Sequence, residues 1–326
     1  KVIPRILLML ANLLNNFSQH LEMIRGDIWK AMEKAALICT DFPEVLNACV
    51  CLMRNLTASF SAATKADILN MNIMEQVLSQ EILGEDALGL LHNLSARAPD
   101  VCVVLGDGSA LPLICHSIRT AIDLETAALS ARANGVSEKV ASASLDGDTS
   151  LAVIRFGSLA LCNISIGSFV KNRPFSLKMI EVVWSTIIDS LEYVVQPIIK
   201  DDEINNEDTV CHAVEMTEAC FSALNEFTRT HTTALHRNHE ASVLKSAILI
   251  GSICIELNRP AVSATKYFMN EATSETCRRH IMNIVFNGVE SMARIVEHAC
   301  AHDKACERSL MPSLESIISQ MVLEYN

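Results

Sequence analysis

Apolar residues recur along the chain at the three- and four-residue spacing of a helix face. Ile28, Met32, Ala35 and Ala36 share one such face. The clearest stretch runs from Glu85 to Thr120 and reads as helix, turn, short helix, turn, helix. Its first helix ends in Asn93-Leu94-Ser95, and its last opens at Gly108-Ser109-Ala110. The same pattern predicts helices over 3–17, 27–39, 44–58, 62–70 and 73–80 before it. After it, helices are predicted over 151–167, 176–195, 209–230, 241–257, 277–301 and 310–323. Proline and glycine punctuate these segments. Pro4 lies in a first turn, where a missing N–H is harmless, and Asp41 precedes the 44–58 helix as a capping residue. Three polar tracts interrupt the series: 123–150, rich in Ala and Ser, the acidic 200–208, and 258–276.

Several predicted helices each carry an asparagine, at positions 12, 55, 93, 163, 225 and 287. The steps between them are 43, 38, 70, 62 and 62 residues. A period of about 40–47 residues belongs to arrays of stacked helical units. The first two steps fit, and the polar tracts supply the excess length of the last three. If so, all three insertions emerge on one edge.

The chain resembles the armadillo-repeat superfamily, the broad class that includes importin-α and β-catenin. The resemblance is carried by RNLTAS (54–59), HNLSAR (92–97) and CNISIG (162–167), with GSALPLI (108–114) opening a second helix. It implies an all-α, right-handed solenoid of five to six three-helix repeats. A single repeat domain is expected over 1–326: regular over 1–122, an inserted polar loop at 123–150, and less regular over 151–326. In the family the third helices line a concave groove, and the repeated asparagine binds the main chain of an extended peptide. An amide side chain holds both a donor and an acceptor, so it can stand in for a backbone partner. The resemblance therefore implies Asn55, Asn93 and Asn163 as partner-binding residues, followed by Asn12, Asn225 and Asn287. Arg54 and Arg97 are the basic residues nearest the ladder. Nuclear-import members carry a Trp one turn before each Asn. Here those positions hold Cys51, Gly89, Leu159 and Phe221, so slots for lysine stems are not expected.

Composition narrows the function. Half the residues are apolar, only 5% are aromatic, and the 11 Gly and 8 Pro are few, which suits helices packed on helices. The net charge of -12 disfavours nucleic acid and agrees with a basic protein partner. No membrane span is expected, and the longest apolar candidate, near 180–199, is broken by Glu181, Asp189, Glu192 and Pro197. The twelve cysteines are scattered over apolar faces, as free thiols in a reducing compartment would be. The tripeptides at Asn55, Asn93 and Asn163 match glycosylation sequons, but they lie on helices of a thiol-rich chain.

Candidate chemistry is sparse. His298, His302 and Cys306 are spaced along one helical side near Cys300, but a fourth metal ligand is not evident. His231, His236 and His239 read as a turn. Gly106-Asp107-Gly108 lacks the Lys-Ser/Thr of a phosphate loop, and no nucleophile elbow or His-Glu-x-x-His motif occurs. The expectation is a non-enzymatic scaffold without cofactor, cytoplasmic, of the kind found in cytoskeletal and cell-polarity assemblies. The alternative is a structural subunit of a permanent cytoskeletal, centriolar or ciliary assembly, joined through the inserted edge.

Overall fold

A computed structural model describes residues 5–7, 9, 30, 34, 43–58, 60–133, 147–199, 214–232, 249–253, 271–302 and 319. Among them every regular element is a helix. The chain divides into two compact units, 1–173 and 174–326.

The first unit contains α1 (Pro43–Thr57), α2 (Ala62–Leu69), α3 (Asn72–Leu78), α4 (Glu85–Ser95), α5 (Pro99–Asp107), α6 (Ala110–Ala133) and α7 (Gly147–Val170). Local chemistry sets the ends. α1 opens on Pro43 with Glu44 in its first turn and Arg54 in its last, both favourable to the helix dipole. Ser61 caps α2 by accepting the Thr64 N–H at 3.3 Å. Two helices end alike. Arg97 after α4 and Asn172 after α7 adopt positive φ, 57° and 50°, and a proline follows each two residues later. The α4 end is also held by Lys65, buried on α2, whose Nζ donates to the Ala96 carbonyl at 2.7 Å. Burial, and then the charge of Arg97, lowers the pKa of that lysine.

Val45, Cys49, Leu52, Met53 and Leu56 bury one side of α1, and Leu88, Leu90, Leu91 and Leu94 are buried on α4. α4 packs against both α1 and α7, while α5 and α6 pack against α7. α5 and α6 meet at 75° across Gly108 and Ser109. Two glycines bring α7 close to its neighbours. A Cβ on Gly167 would lie 2.2 Å from the Cβ of Cys102 on α5, and one on Gly157 would lie 2.6 Å from the Ile118 side chain on α6.

The predicted helices from 44 to 80 match α1 to α3 within two residues. The tract 123–150 differs from a plain loop: α6 continues to Ala133 and α7 begins at Gly147, with 134–146 outside the described residues. Alanine-rich sequence is helical by propensity even where no apolar stripe marks it. Ser150–Val170, with one charged residue, is long and apolar enough to cross a membrane, which the 180–199 candidate had overshadowed. In this unit it is the helix on which α4, α5 and α6 pack.

The second unit contains α8 (Leu177–Ile199), helical residues 214–232 (α9), and α10 (Glu271–His302). α10 starts six residues before the predicted 277, inside the tract expected to be irregular. Val183, Ile187, Leu191, Phe221, Leu224, Phe227, Ile284 and Ile295 are buried here. The acidic tract 200–208 and most of the predicted helices 3–17, 27–39, 241–257 and 310–323 lie outside the described residues.

Candidate functional site: the asparagine face of α1, α4 and α7

α1, α4 and α7 are the helices that carry Asn55, Asn93 and Asn163, and they pack in succession. Asn93 Nδ2 donates to the Arg54 carbonyl at 2.7 Å. Asn163 Nδ2 donates to the His92 carbonyl at 3.1 Å. Arg54 and His92 each immediately precede an asparagine of the ladder, so both rungs make one bond in one register. Cys51 also meets Asp86 while Arg54 meets Asn93. The paired numbers rise together, so α1 and α4 run parallel.

Asn163 is held more fully than Asn93. Its Nδ2 also reaches His92 Nδ1 at 3.1 Å and Ser95 Oγ at 3.3 Å. Among the described residues nothing donates to Oδ1 of Asn93 or Asn163, and neither oxygen is among the enclosed orphan atoms. Both acceptors are therefore left facing water. Asn55 is half-buried on the same face.

The position one turn before Asn93 is Gly89, and Arg54 fills the space above it. A Cβ on Gly89 would lie 2.6 Å from Arg54 Nε. The guanidinium sits 4.3 Å above the centre of the Phe156 ring and pairs through Nη1 with Glu85 at 3.0 Å and Asp86 at 2.8 Å. With 22% of its side chain exposed, Arg54 is a built-in part of the wall. Arg155 lies over the same ring at 5.8 Å, so two cations and two carboxylates share the spot. Burial, together with Asp86, raises the Cys51 thiol to about 11, so it stays protonated. Burial also lowers the pKa of His92, helped by Lys65, Arg155 and Arg54 and opposed by a bond to the Leu159 carbonyl. Arg97, exposed at the end of α4, belongs to the turn rather than to this wall.

No family model, no curated protein and no solved structure matches this chain.

In the second unit Asn225 and Asn287 also meet, with Asn225 Nδ2 donating to Asn287 Oδ1 at 2.9 Å and to Glu290 at 3.0 Å. Arg294 donates to the Asn225 carbonyl at 3.1 Å and to its side-chain oxygen. Glu218 accepts from Asn283 at 2.7 Å and pairs with His280. Here the amides bond to each other, and an arginine takes the asparagine's own carbonyl rather than the one before it. Asn12 lies outside the described residues.

The histidine and cysteine groups do not assemble among the described residues, where no three metal-ligating side chains come together. Cys300 and His302 are described in backbone only, and Cys306, His236 and His239 lie outside the described residues. His231 is 2% exposed and stacks on Phe175 with centroids 4.6 Å apart. Sequence reasoning named Arg54 and Gly89 but missed their partners Phe156, Glu85 and Asp86, and it missed His92. A glycine inside a helix, set against an aromatic and an acidic pair elsewhere, was the available signal.

Proposed function

We propose that this protein is a non-catalytic, armadillo-like solenoid scaffold that binds an extended segment of a protein partner along the asparagine face. The observation that carries the reading is the repeated rung: two asparagines, each tied by Nδ2 to the helix before and each leaving Oδ1 to water. Repetition in one register is what an extended chain requires, because its own groups repeat. The net charge of -12 favours a basic segment. The free thiols among the described cysteines support a reducing, cytoplasmic setting, with cytoskeletal or cortical assemblies as the expected context.

The test compares partner capture by the native chain and by the triple variant Asn55→Ala/Asn93→Ala/Asn163→Ala, with helicity checked by circular dichroism at the capture temperature. Loss of partners from a folded variant supports the groove. Unchanged capture removes it and directs attention to 123–150 and 200–208.

One observation favours the second reading, a subunit locked into a permanent assembly. Met282 and Phe286 lie one turn apart on α10 and are 60% and 62% exposed. Tight co-purification that survives the triple variant and is lost on Met282→Ser/Phe286→Ser would favour it.

A further inference from the structure

Asn163 differs from its neighbour rung in one respect. Its Nδ2 has two hydrogens and three acceptors within reach: the His92 carbonyl, His92 Nδ1 and Ser95 Oγ. Both hydrogens are engaged inside the protein. Asn93 Nδ2 has the single Arg54 carbonyl, so one of its hydrogens remains for a partner. A neutral imidazole has one donor and one acceptor nitrogen. Since Nδ1 faces an amide N–H, it is the acceptor, and the ring proton sits on Nε2.

We propose that Asn163 is a one-way rung, an acceptor toward any partner, and that neutral His92 is the positioning residue that holds it so. The ligand class follows, and this part rests on the groove reading above. The rung takes an N–H, from a main-chain amide or a basic side chain, and refuses a proline nitrogen or a bare carbonyl. Protonation of His92 would put N–H on Nδ1 and set two donors against each other at 3.1 Å. The amide then turns its Oδ1 inward, releases the His92 carbonyl and Ser95, and presents a donor instead.

The charged groups around the ring agree with a neutral state, and only the Leu159 carbonyl opposes it. Arg54 on α1, Lys65 on α2 and Arg155 on α7 are all cationic and disfavour a further positive charge. Cys102 on α5, whose Sγ donates to the carbonyls of Ser95 and Asn163, is pushed up to about 12 by burial and contributes no anion. Glu85 and Asp86, on the ring's own helix, are paired with Arg54. Burial is the largest influence on His92 and acts in the same direction.

The test needs no partner. In the full chain, labelled with nitrogen-15 in Asn and His, His92 Nδ1 is expected at neutral pH to resonate as an unprotonated nitrogen coupled across the hydrogen bond to Asn163 Nδ2. On acidification the Asn163 side-chain signals should shift with the His92 titration, at a midpoint below the usual 6.5. In His92→Phe the Asn163 amide protons should exchange with water about tenfold faster, as loss of one hydrogen bond predicts. A proton on Nδ1 at neutral pH overturns the proposal, as do Asn163 signals that ignore the His92 titration. Because the tautomer is read in the native chain, a misfolded variant does not rescue or sink it. Failure of the capture experiment alone would remove the groove and leave this bond standing.

Discussion

At the scale of single residues, the ladder asparagines are structural and outward-facing at once. Asn93 donates to the Arg54 carbonyl from a half-buried position. Asn93→Ala should therefore cost about 1 kcal/mol, the net worth of one such bond. Asn93→Asp should cost more, because a carboxylate oxygen would face a carbonyl at the distance where an amide donated. Urea unfolding of the two variants decides the matter, and equal costs would mean that the bond does not hold the rung. Arg54 and Gly89 make a second case. Alanine in place of a helix-interior glycine gains up to about 1 kcal/mol of propensity. At Gly89 that gain meets Arg54 Nε at 2.6 Å, so Gly89→Ala should destabilise the native chain. In an Arg54→Ala background the same change should stabilise. A double-mutant cycle with a coupling under about 0.5 kcal/mol would show that the two side chains are independent.

At the scale of helices, close approach distinguishes the two glycines of α7. Gly167 faces the Cβ of Cys102, with the Pro99 Cα 3.4 Å away, so nothing flexible can give way. Gly167→Ala must push α5 and α7 apart and should cost about 3 kcal/mol, the upper range for overpacking. Gly157 faces Cγ1 and Cδ1 of Ile118, a side chain that can change rotamer. Gly157→Ala should cost less, and Ile118→Ala should rescue it. Denaturant midpoints of the four proteins test the ranking; a cheaper Gly167→Ala would mean that α5 and α7 are not in contact there.

At the scale of the whole molecule, the second unit contains an acid-sensitive spot. His231 lies between Phe175 and Phe227, its Nε2 has no partner, and burial lowers its pKa to about 4. The unfolded chain takes up a proton near 6.5 while the folded one resists until about 4. The neutral ring's contribution is thus fully present above pH 6.5. It falls by about 1.4 kcal/mol per pH unit below that, about 3 kcal/mol in all by pH 4. Trp184 packs near Phe227 with centroids 6.3 Å apart, so its fluorescence reports this unit. With Trp29→Phe removing the other tryptophan, thermal unfolding followed by Trp184 should weaken from pH 6.5 downward. Adding His231→Phe should flatten that dependence and raise stability at neutral pH, since an unsatisfied buried nitrogen is removed. An unchanged pH profile would place the acid sensitivity elsewhere.

Most of the described helices were legible in the sequence. Capping residues, prolines and apolar spacing act within a few residues, so α1 to α5 follow from local pattern. Alignment on asparagine set 12, 55, 93, 163, 225 and 287 in one series. The structure ties Asn93 to the Arg54 carbonyl and Asn163 to the His92 carbonyl, and joins the side chains of Asn225 and Asn287. The extensions of α6 and α10 were not legible, because an alanine-rich or polar helix carries no apolar stripe to announce it. Nor was the chemistry that surrounds the rungs. Arg54 finds its carboxylates 31 and 32 residues away, and His92 finds Asn163 71 residues away. Local propensity dictated the helices and their ends. Which donor each rung keeps, which acceptor it shows, and where the chain divides at Arg173 were decided by side chains that only packing brings within 3 Å or so of one another.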